Sequence, residues 1–383
     1  MKSEWNRVQV GELCSRVCSG GTPKSTNSEY YGGDIPWLNT REVNFNRISK
    51  TEGFITQAGL DNSSAKWIKK NCVIVAMYGA TAGRCAITKI PLTTNQACCN
   101  LEIDDTKADY RFVYYALKNE YVRLSSAANG GAQQNLNAQQ VKEFDIPYPP
   151  LPIQRKIASI LSALDDKIET NNAICRNLEE LLLAVYRNVK YANECVVKEL
   201  HELAEFSKNK KQIFELNCQS YFSTENMLPG KAGAVAAASL PTMPKATACS
   251  PGDILVSNIR PYFKKIVYCS TKCGCSSDVL CIHPKEEVYS TWLFCSLYED
   301  DFFDYVTAGS KGTKMPRGDK AHIMRYSIAV PARTKLEEFK SMGNLVLTQI
   351  NNLRSENEYL SQLRDSILPK LMNGELDIDK IEV

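Results

Sequence analysis

The residues that could do specific chemistry in this sequence are polar side chains clustered in glycine-rich loops. Arg, Lys, Asn and Gln can form the paired hydrogen bonds that read the edges of nucleic-acid bases. Lys, Arg, Ser and Thr also bind phosphates, and neighbouring glycines let the backbone approach a ligand closely. The alternative for each residue is ordinary solvation of a polar loop. The candidates in the N-terminal half are Lys24, Ser25, Thr26, Asn39, Thr40, Arg41, Tyr78, Thr81, Arg84, Gln133, Gln134 and Asn135.

A second set of such loops occurs in the C-terminal half and is more basic. The segment AGSKGTKMPRGDK combines glycines with Lys and Arg, although a lysine run is often only a solvated surface. We expect Arg317→Ala to weaken DNA binding and to flatten its salt dependence, and an unchanged slope would count against a phosphate contact. The candidates in this half are Lys208, Lys210, Lys211, Ser257, Asn258, Arg260, Lys264, Lys265, Lys311, Thr313, Lys314 and Arg317.

Metal and redox chemistry have weaker support. The chain has 15 cysteines but no recognisable export signal, so reduced and buried thiols are expected. Zinc sites usually combine two well separated Cys-x2-4-Cys pairs. The cluster of four cysteines followed by His283 is irregularly spaced instead, which favours packing thiols over a metal site. We therefore expect neither a metal nor a cofactor. The clustered cysteines are Cys269, Cys273, Cys275 and Cys281.

Motifs for catalysis are missing from the sequence. It contains no GxxxxGK[ST] phosphate loop. The segment IPYPP lacks the polar residue with which adenine methyltransferases hold a flipped base. The three histidines, His201, His283 and His322, form no pair with the spacing of metal ligands. A non-catalytic protein is the prediction, and an enzyme with an unrecognised site is one alternative.

Length and charge limit the interpretation further. A chain of 383 residues is too long for a single core and predicts at least two domains. A net charge of +3 permits nucleic-acid binding without indicating it, because non-specific polyanion binders are usually far more basic. No apolar run approaches the length of a membrane span, and MKSEWNRVQV does not resemble a signal peptide. We expect a cytoplasmic protein.

Two long helices are predicted to position the candidate loops. Residues 151–189, LPIQRKIASILSALDDKIETNNAICRNLEELLLAVYRNV, place apolar residues alternately four and three apart, as coiled coils do. A similar pattern runs from about Thr334 to Met372. Asn171 and Asn357 occupy seam positions, so antiparallel packing with the two amides face to face would fix the register. The alternative is that each asparagine is solvated on a helix that packs elsewhere.

The sequence also repeats at a shift of about 182 residues. The two long helices align, NCVIVAMYG aligns with GDILVSNIR, and NGGAQQNLN aligns with AGSKGTKMPRGDK. Strand-like and amphipathic helical segments mix within each repeat. We predict an α+β fold with two pseudo-twofold-related globular domains joined by two long antiparallel helices that form a coiled coil. The predicted segments are 1–150 and 190–332 for the globular domains, 151–189 and 333–373 for the helices, and 374–383 for a tail.

Several stretches resemble the specificity subunits of type I restriction–modification systems. LPIQRKIASILSALDDKIETNN is similar to their first spacer helix, and LSQLRDSILPKLMNGELDI to the end of their second. SGGTPKSTNSEYYGGDIPWLNTREVN, and AMYGATAGRCAI followed by TTNQACC, resemble half of a target-recognition domain. The resemblance covers the whole chain, but SNIRPYFKKIVY and TENMLPGKAGAVAA follow a different loop pattern.

The resemblance implies a division of labour. Residues 1–150 and 190–332 would be target-recognition domains, each reading one half of a bipartite sequence in double-stranded DNA. The helices would set the gap between the halves and dock two methyltransferase subunits, which restriction subunits join. The chain itself would catalyse nothing in a complex with adenine-N6 methyltransferase and ATP-dependent endonuclease activity.

Two other interpretations stay open at this point. A coiled-coil scaffold that binds proteins would behave towards DNA independently of salt. A specificity subunit of a related system that cuts on both sides of its site would share this sequence pattern.

The target bases cannot be read from the sequence, because DNA shape also contributes to recognition. A helical rod of about 50 Å bounds the gap at roughly 15 base pairs.

Overall fold

The computed structural model describes residues 5–127 and 135–376. The chain divides into two compact units, of which the first combines Met1–Glu169 with Glu358–Val383 and the second comprises Thr170–Asn357. The first unit is therefore discontinuous in sequence. The domain boundaries predicted from sequence, which give each long helix a segment of its own, stay a prediction.

The first unit is built on a five-stranded sheet in which apolar strands pair mostly antiparallel. Its strand order is β2-β9-β6-β7-β4, a second sheet has the order β5-β3-β8, and β1 pairs with β10. In chain order the elements are β1 (Arg7–Gln9), β2 (Cys14–Ser19), β3 (Tyr31–Leu38), β4 (Asn46–Ile48), β5 (Gly53–Ile55), α1 (Gln57–Asp61), β6 (Val73–Ala76), β7 (Cys85–Thr88), β8 (Thr93–Thr94), β9 (Cys98–Ile103), α2 (Tyr110–Asn119), α3 (Tyr121–Ser126), α4 (Ala138–Glu143), β10 (Asp145–Pro147) and α5 (Leu151–Ala192).

The second unit repeats much of this plan with shorter strands. Its main sheet has the order β12-β19-β16-β17, a second sheet has the order β13-β15-β18-β14, and β11 pairs with β20. In chain order its elements are β11 (Val196–Glu199), α6 (Leu200–Leu203), β12 (Ala204–Phe206), β13 (Lys210–Gln212), β14 (Tyr221–Phe222), β15 (Lys245–Cys249), β16 (Ile254–Ser257), β17 (Ile266–Tyr268), β18 (Cys273–Cys275), β19 (Val279–Pro284), α7 (Ser290–Tyr298), α8 (Asp300–Ala308), α9 (Lys320–Ile323), β20 (Ser327–Val330) and α10 (Arg333–Met372).

The internal repeat therefore appears as shared topology. β2, β9, β6 and β7 of the first unit correspond to β12, β19, β16 and β17 of the second, in the same sheet order. β6 and β16 are wholly buried, which accounts for their continuous apolar sequences VIVA and ILVS. The prediction of an α+β fold with two domains joined by long helices is confirmed.

The cores lie between these sheets, the short helices and the long helices. In the first unit Val73 and Val75 of β6 share a core with Phe112 of α2 and with Leu368 and Leu371 near the end of α10. In the second unit Trp292 of α7 is fully buried and packs against Tyr186 of α5, with ring centroids 4.5 Å apart and the ring planes inclined by 57°. Each long helix thus contributes apolar side chains to the core of the unit in which those residues lie.

The long helices extend close to their predicted ends. α5 continues to Ala192, three residues past the prediction, since no Gly or Pro interrupts it. α10 ends at Met372 with Pro369 inside its last turn. Gly374 then adopts φ 64°, and the Glu375 amide donates to the Lys370 carbonyl over 2.9 Å. A left-handed glycine that closes a helix in this way needs no side chain to be displaced.

The two seam asparagines meet inside the second unit. The side-chain amide nitrogen Nδ2 of Asn171 donates to Asn357 Oδ1 and to a Glu356 carboxylate oxygen, each over 2.9 Å. The side-chain Nδ2 of Asn357 donates to Asn172 Oδ1, also over 2.9 Å. Asn171 is fully buried. The helices are therefore antiparallel here, with the two asparagines opposite each other.

A polar group of a different kind lies between the helices in the first unit. Asp165 of α5 accepts a hydrogen bond from the Tyr115 hydroxyl over 2.5 Å and one from Arg364 Nη1 of α10 over 2.6 Å. The Arg364 guanidinium bonds the Asp165 carboxylate because an arginine between two helices needs a charged partner to be buried.

Among the residues that the structure describes, no helix is both long and apolar enough to cross a membrane.

Candidate nucleic-acid interface

The candidate loops of the first unit begin where strands end at one edge of its sheets. In the main sheet β2 ends at Ser19, opposite Cys99, and β6 ends at Ala76, opposite Cys98. β2 and β6 flank the start of β9, so their following loops leave the same edge. The loop after β2 contains Lys24, and the loop after β6 contains Tyr78.

Backbone hydrogen bonds bring a third loop to the same place. β3 ends at Leu38 beside Thr94 of β8. The Asn95 amide donates to the Leu38 carbonyl over 3.0 Å, and the Gly21 amide donates to the Thr94 carbonyl over 2.8 Å. The Met77 amide completes the link by donating to Ala97 over 2.8 Å. The loops after β2, β3 and β6 therefore converge on residues 94–97.

A fourth segment joins the cluster through an isolated strand pairing. Tyr78 and Asn135 form an antiparallel bridge, and the Leu136 amide donates to the Met77 carbonyl over 2.7 Å. Asn135 thus lies against the hairpin loop between β6 and β7. Gln133 and Gln134, which precede it, lie outside the described residues. We call these four loops, with residues 94–97, the first loop cluster.

The side chains of the first loop cluster differ in how many hydrogen bonds and ion pairs they form within the protein. Lys24, Ser25 and Thr26 are exposed. Asn39 caps a helical turn, with Oδ1 accepting from the Arg41 amide over 3.3 Å and, more weakly, from the Thr40 hydroxyl over 3.4 Å. Thr40 is half-buried and Arg41 is exposed. Arg41 pairs with the exposed Glu52 over 2.7 Å.

The hairpin loop between β6 and β7 is more tightly built. The Thr81 hydroxyl donates to the Tyr78 carbonyl over 3.3 Å, while 43% of Tyr78 is exposed. Arg84 Nη1 donates to Asn44 Oδ1 over 2.8 Å, and its buried Nε has no partner among the described residues. Arg84 therefore ties the loops after β3 and β6 together, a role that its sequence position did not reveal.

Sequence reasoning missed Gln96. It is exposed at the tip of the turn on which the loops converge, and its side chain hydrogen-bonds the Thr22 hydroxyl. A carboxamide here has the same base-reading chemistry as the predicted asparagines. The segment TTNQACC was noted only for its resemblance, and nothing local in it distinguishes Gln96 from a solvated turn residue.

The second unit places its candidate loops in the corresponding positions. The loop between β16 and β17 starts after Ser257, whose backbone amide donates to the Lys265 carbonyl over 3.1 Å. The Asn258 amide donates to Asp278 over 2.9 Å, and the Gly318 amide donates to Asn258 over 3.1 Å. Segment 311–318 is thus held against this hairpin loop as residues 135–136 are in the first unit.

The hairpin loop of each unit forms one isolated bridge at the same position. Ile259 and Arg317 form an isolated antiparallel bridge, as Tyr78 and Asn135 do. Arg317 forms a second bridge with Lys311, through two backbone hydrogen bonds of 2.9 Å. In the part of NGGAQQNLN that the structure describes, residues 135–137, Asn135 therefore takes the place that Arg317 of AGSKGTKMPRGDK takes in the second unit. We call residues 257–265 and 311–318, together with the basic segment 207–211 that follows β12 and pairs in part with β15, the second loop cluster.

The lysines of the second loop cluster fall into two groups. Lys208, Lys311 and Lys314 are exposed, as is Thr313, although Lys311 also pairs with Asp319. Lys264 instead pairs with Asp300 over 2.8 Å, and Lys265 Nζ donates to the Thr224 carbonyl over 2.6 Å. The remaining candidates are hydrogen-bonded or partly buried. Lys210 Nζ donates to the Thr247 hydroxyl over 3.2 Å, and the Ser257 hydroxyl donates to the Ile259 carbonyl over 3.2 Å. Lys211 in β13 and Arg260, with φ 50°, are half-buried.

Ion pairs shift the pKa values of several of these groups. The Asp300 carboxylate raises the pKa of Lys264, which therefore stays charged at neutral pH. Burial lowers the pKa of Lys265. The Lys311 ammonium, helped by two backbone amides, lowers the pKa of Asp319 to about 2. The second loop cluster is consequently a mixed surface in which free lysines alternate with paired ones.

Five cysteines of the second unit lie together in its core. Cys249, Cys269, Cys273, Cys275 and Cys281 are buried together, and the sulfurs of Cys269 and Cys273 lie 3.5 Å apart. His283 Nδ1 hydrogen-bonds Asp253 over 2.6 Å. Within residues 5–127 and 135–376, no three His, Cys, Asp or Glu side chains are arranged to hold a metal ion.

Comparison with known proteins relates the chain to one family. Residues 2–180 match the family described as type I restriction modification DNA specificity domain. The MjaIX specificity subunit of Methanocaldococcus jannaschii is 25% identical over 99% of this chain and 95% of its own length. The HindI specificity subunit of Haemophilus influenzae is 30% identical over 47% of this chain and 40% of its own.

A solved structure agrees with these sequence matches at the level of fold. The S subunit of a type I restriction–modification system from M. genitalium superposes with a TM-score of 0.61 and 18% identity, covering 96% of both chains. At this identity the likeness establishes the shared fold.

Proposed function

Residues 2–180 match the type I restriction modification DNA specificity domain, and the MjaIX specificity subunit aligns over 99% of this chain. We therefore propose that the chain is a specificity subunit of a type I restriction–modification system and that each of its two loop clusters binds one half of a bipartite DNA target. The chain is the non-catalytic, DNA-recognising subunit of such a complex. In the proposed assembly its long helices set the gap between the halves. The two halves of the target are read by different residues, so the target need not be a palindrome.

The observation that carries this proposal is the duplication of one loop arrangement with different side chains. Both units hold a separate chain segment against the hairpin loop of the main sheet by an isolated bridge. The side chains on this shared frame differ, with Tyr78 and Asn135 in one unit and Ile259 and Arg317 in the other. A duplicated frame with altered contact residues is what reading two different half-sites requires.

The complex supplies the chemistry that this chain lacks. We infer that two methyltransferase subunits dock along the long helices and that restriction subunits join them, with adenine-N6 methylation and ATP-dependent cleavage as the resulting activities. Such a complex would act on the chromosome and on incoming DNA in the cytoplasm. The modest net charge of +3 fits a subunit whose partners provide much of the phosphate contact.

Methylation is the readout that tests this proposal. The full chain is expressed with the methyltransferase subunit encoded beside it, and N6-methyladenine is mapped by single-molecule sequencing in a host without other adenine methylases. We expect one motif with two short specific halves and a fixed unspecified gap. Methylation of a single continuous motif, or of the same sites without this chain, would contradict the proposal.

We also propose that Asn171 and Asn357 fix the register of the helix pair. Asn171→Ala is expected to lower the free energy of unfolding by about 1–3 kcal/mol, because Oδ1 of the half-buried Asn357 loses its donor and Asn357 keeps only its bond to Asn172. The double variant Asn171→Leu/Asn357→Leu should recover most of this loss by forming an apolar layer. Urea denaturation followed by circular dichroism measures both, and simple additivity of the two single losses in the double variant would exclude coupling.

A further inference from the structure

The two isolated bridges put Asn135 and Arg317 at equivalent positions of the two units. Each residue pairs with the second residue of the loop that follows the buried strand, Tyr78 in one case and Ile259 in the other. The amide of the next residue, Leu136 or Gly318, donates to the carbonyl just before that partner. The backbone at both positions is therefore fixed by the same contacts, while the side chains differ.

The guanidinium of Arg317 is oriented by a carboxylate. Arg317 Nη2 lies 3.2 Å from Asp278 Oδ1, and their side chains are 55% and 38% exposed. Asp278 is itself held in place because its carbonyl accepts from the Asn258 amide over 2.9 Å. Arg317 has no other side-chain partner among the described residues, so its remaining donors stay available. A planar fork held on one side can present two parallel donors on the other.

We propose that these two positions are the specificity-determining positions of the two units: Arg317 selects a guanine and Asn135 selects an adenine. Arginine forms a paired hydrogen bond with guanine O6 and N7, and asparagine forms one with adenine N6 and N7. Asn135 is exposed, and its carboxamide carries the adjacent donor and acceptor that pair with adenine N7 and N6. This inference rests on the proposed function, since it assumes that each unit reads one half-site.

The ion pair with Asp278 also revises the expectation drawn from sequence for Arg317. A phosphate contact would flatten the salt dependence of binding when the arginine is removed. A guanidinium already offset by a carboxylate adds little net charge to the surface. Arg317→Ala should therefore leave the salt slope nearly unchanged and act on base selectivity instead.

Motif mapping with variants tests the assignment. The full chain carrying Arg317→Ala, Arg317→Lys or Asn135→Ala is expressed with the methyltransferase subunit, and the methylated motif is compared with that of the unaltered chain. We expect Arg317→Ala to make one guanine of one half-site degenerate, with discrimination reduced about 5- to 150-fold. Arg317→Lys keeps the charge but not the fork and should relax the same position. Asn135→Ala should relax an adenine in the other half-site.

Lys314→Ala serves as the matched control from the same loop, because Lys314 is exposed and no described side chain orients its ammonium as Asp278 orients Arg317. It should lower methylation at all sites uniformly without altering the motif. Thermal melting of the purified variants separates unfolding from altered reading.

Two results would overturn the inference. One is an unchanged motif in folded Arg317→Ala and Asn135→Ala chains, and the other is loss of selectivity at bases other than guanine and adenine. A split motif in the unaltered chain would still support the proposed function in either case, whereas its absence would contradict the function itself.

Discussion

Reversing two exposed charges of the second loop cluster is expected to abolish most of the DNA affinity of this unit. Lys208 and Lys314 are exposed and have no side-chain hydrogen bond or ion pair among the described residues. If each contacts one phosphate, removing both lowers the affinity about 30-fold at 0.15 M salt and reduces the salt slope by about 1.8, and the double variant Lys208→Glu/Lys314→Glu adds repulsion to this loss. Fluorescence anisotropy of the assembled methyltransferase complex with target DNA, at several salt concentrations, measures both quantities.

The control changes the net charge equally at the other end of the same sheet. Lys272 and Lys285 are exposed. The proposed interface lies where β19 begins, because Val279 of β19 pairs with Ser257 at the end of β16. Lys285 follows the other end of β19. Lys272 lies near Cys269, whose backbone amide donates to the Asp253 carbonyl just before the start of β16. Lys272→Glu/Lys285→Glu should reduce the affinity only a few-fold through the general field. Equal losses in both double variants would contradict the location of the interface.

Removing the carboxylate of Asp165 should produce the largest loss of stability in the chain. Asp165 is 9% exposed and accepts hydrogen bonds from Tyr115 and Arg364. Asp165→Ala removes the carboxylate bound to Nη1 of the largely buried Arg364 guanidinium, which keeps only its Nε contact with Asp365 over 2.8 Å. It also removes the acceptor of the buried Tyr115 hydroxyl, so the free energy of unfolding should fall by about 3–5 kcal/mol. Guanidinium denaturation monitored by tryptophan fluorescence and circular dichroism measures the change.

An exposed ion pair in the same unit provides the comparison. Glu52 pairs with Arg41, and their side chains are 64% and 72% exposed. Glu52→Ala should lower the free energy of unfolding by less than about 1 kcal/mol, because both charges are already solvated. The double variant Asp165→Leu/Arg364→Leu should regain stability relative to Asp165→Ala. If Asp165→Ala costs no more than Glu52→Ala, the buried network does not stabilise the first unit.

The fold was predictable where one period dominates the sequence. The long helices follow from the heptad pattern. The seam asparagines could be paired because placing them opposite each other in an antiparallel pair also places apolar seam residues opposite apolar ones. Short strands such as β14 and β18 gave no comparable signal. Their pairing depends on contacts between distant segments, and a run such as Tyr221–Phe222 has no period to detect.

The candidate site was predictable as a set of loops but not as a set of free side chains. Lys264 and Lys265 read from the sequence as part of a basic loop, yet one pairs with Asp300 and the other bonds Thr224. Both partners come from distant parts of the chain. Arg84 likewise became a structural link once Asn44 was known to lie beside it. Whether a polar residue is available to a ligand is decided by tertiary neighbours, which a local pattern cannot supply.

The discontinuity of the first unit has a consequence for the order of events on the ribosome. Its core includes Leu368, Leu371 and Met372, which are synthesised after the whole second unit. At 5–20 residues per second, the roughly 190 intervening residues take about 10–40 s to translate. During that interval the nascent first unit exposes the apolar surface that these three side chains later cover. The second unit, continuous in sequence, can complete its core first, so vectorial synthesis predicts that the half of the protein made first is finished last.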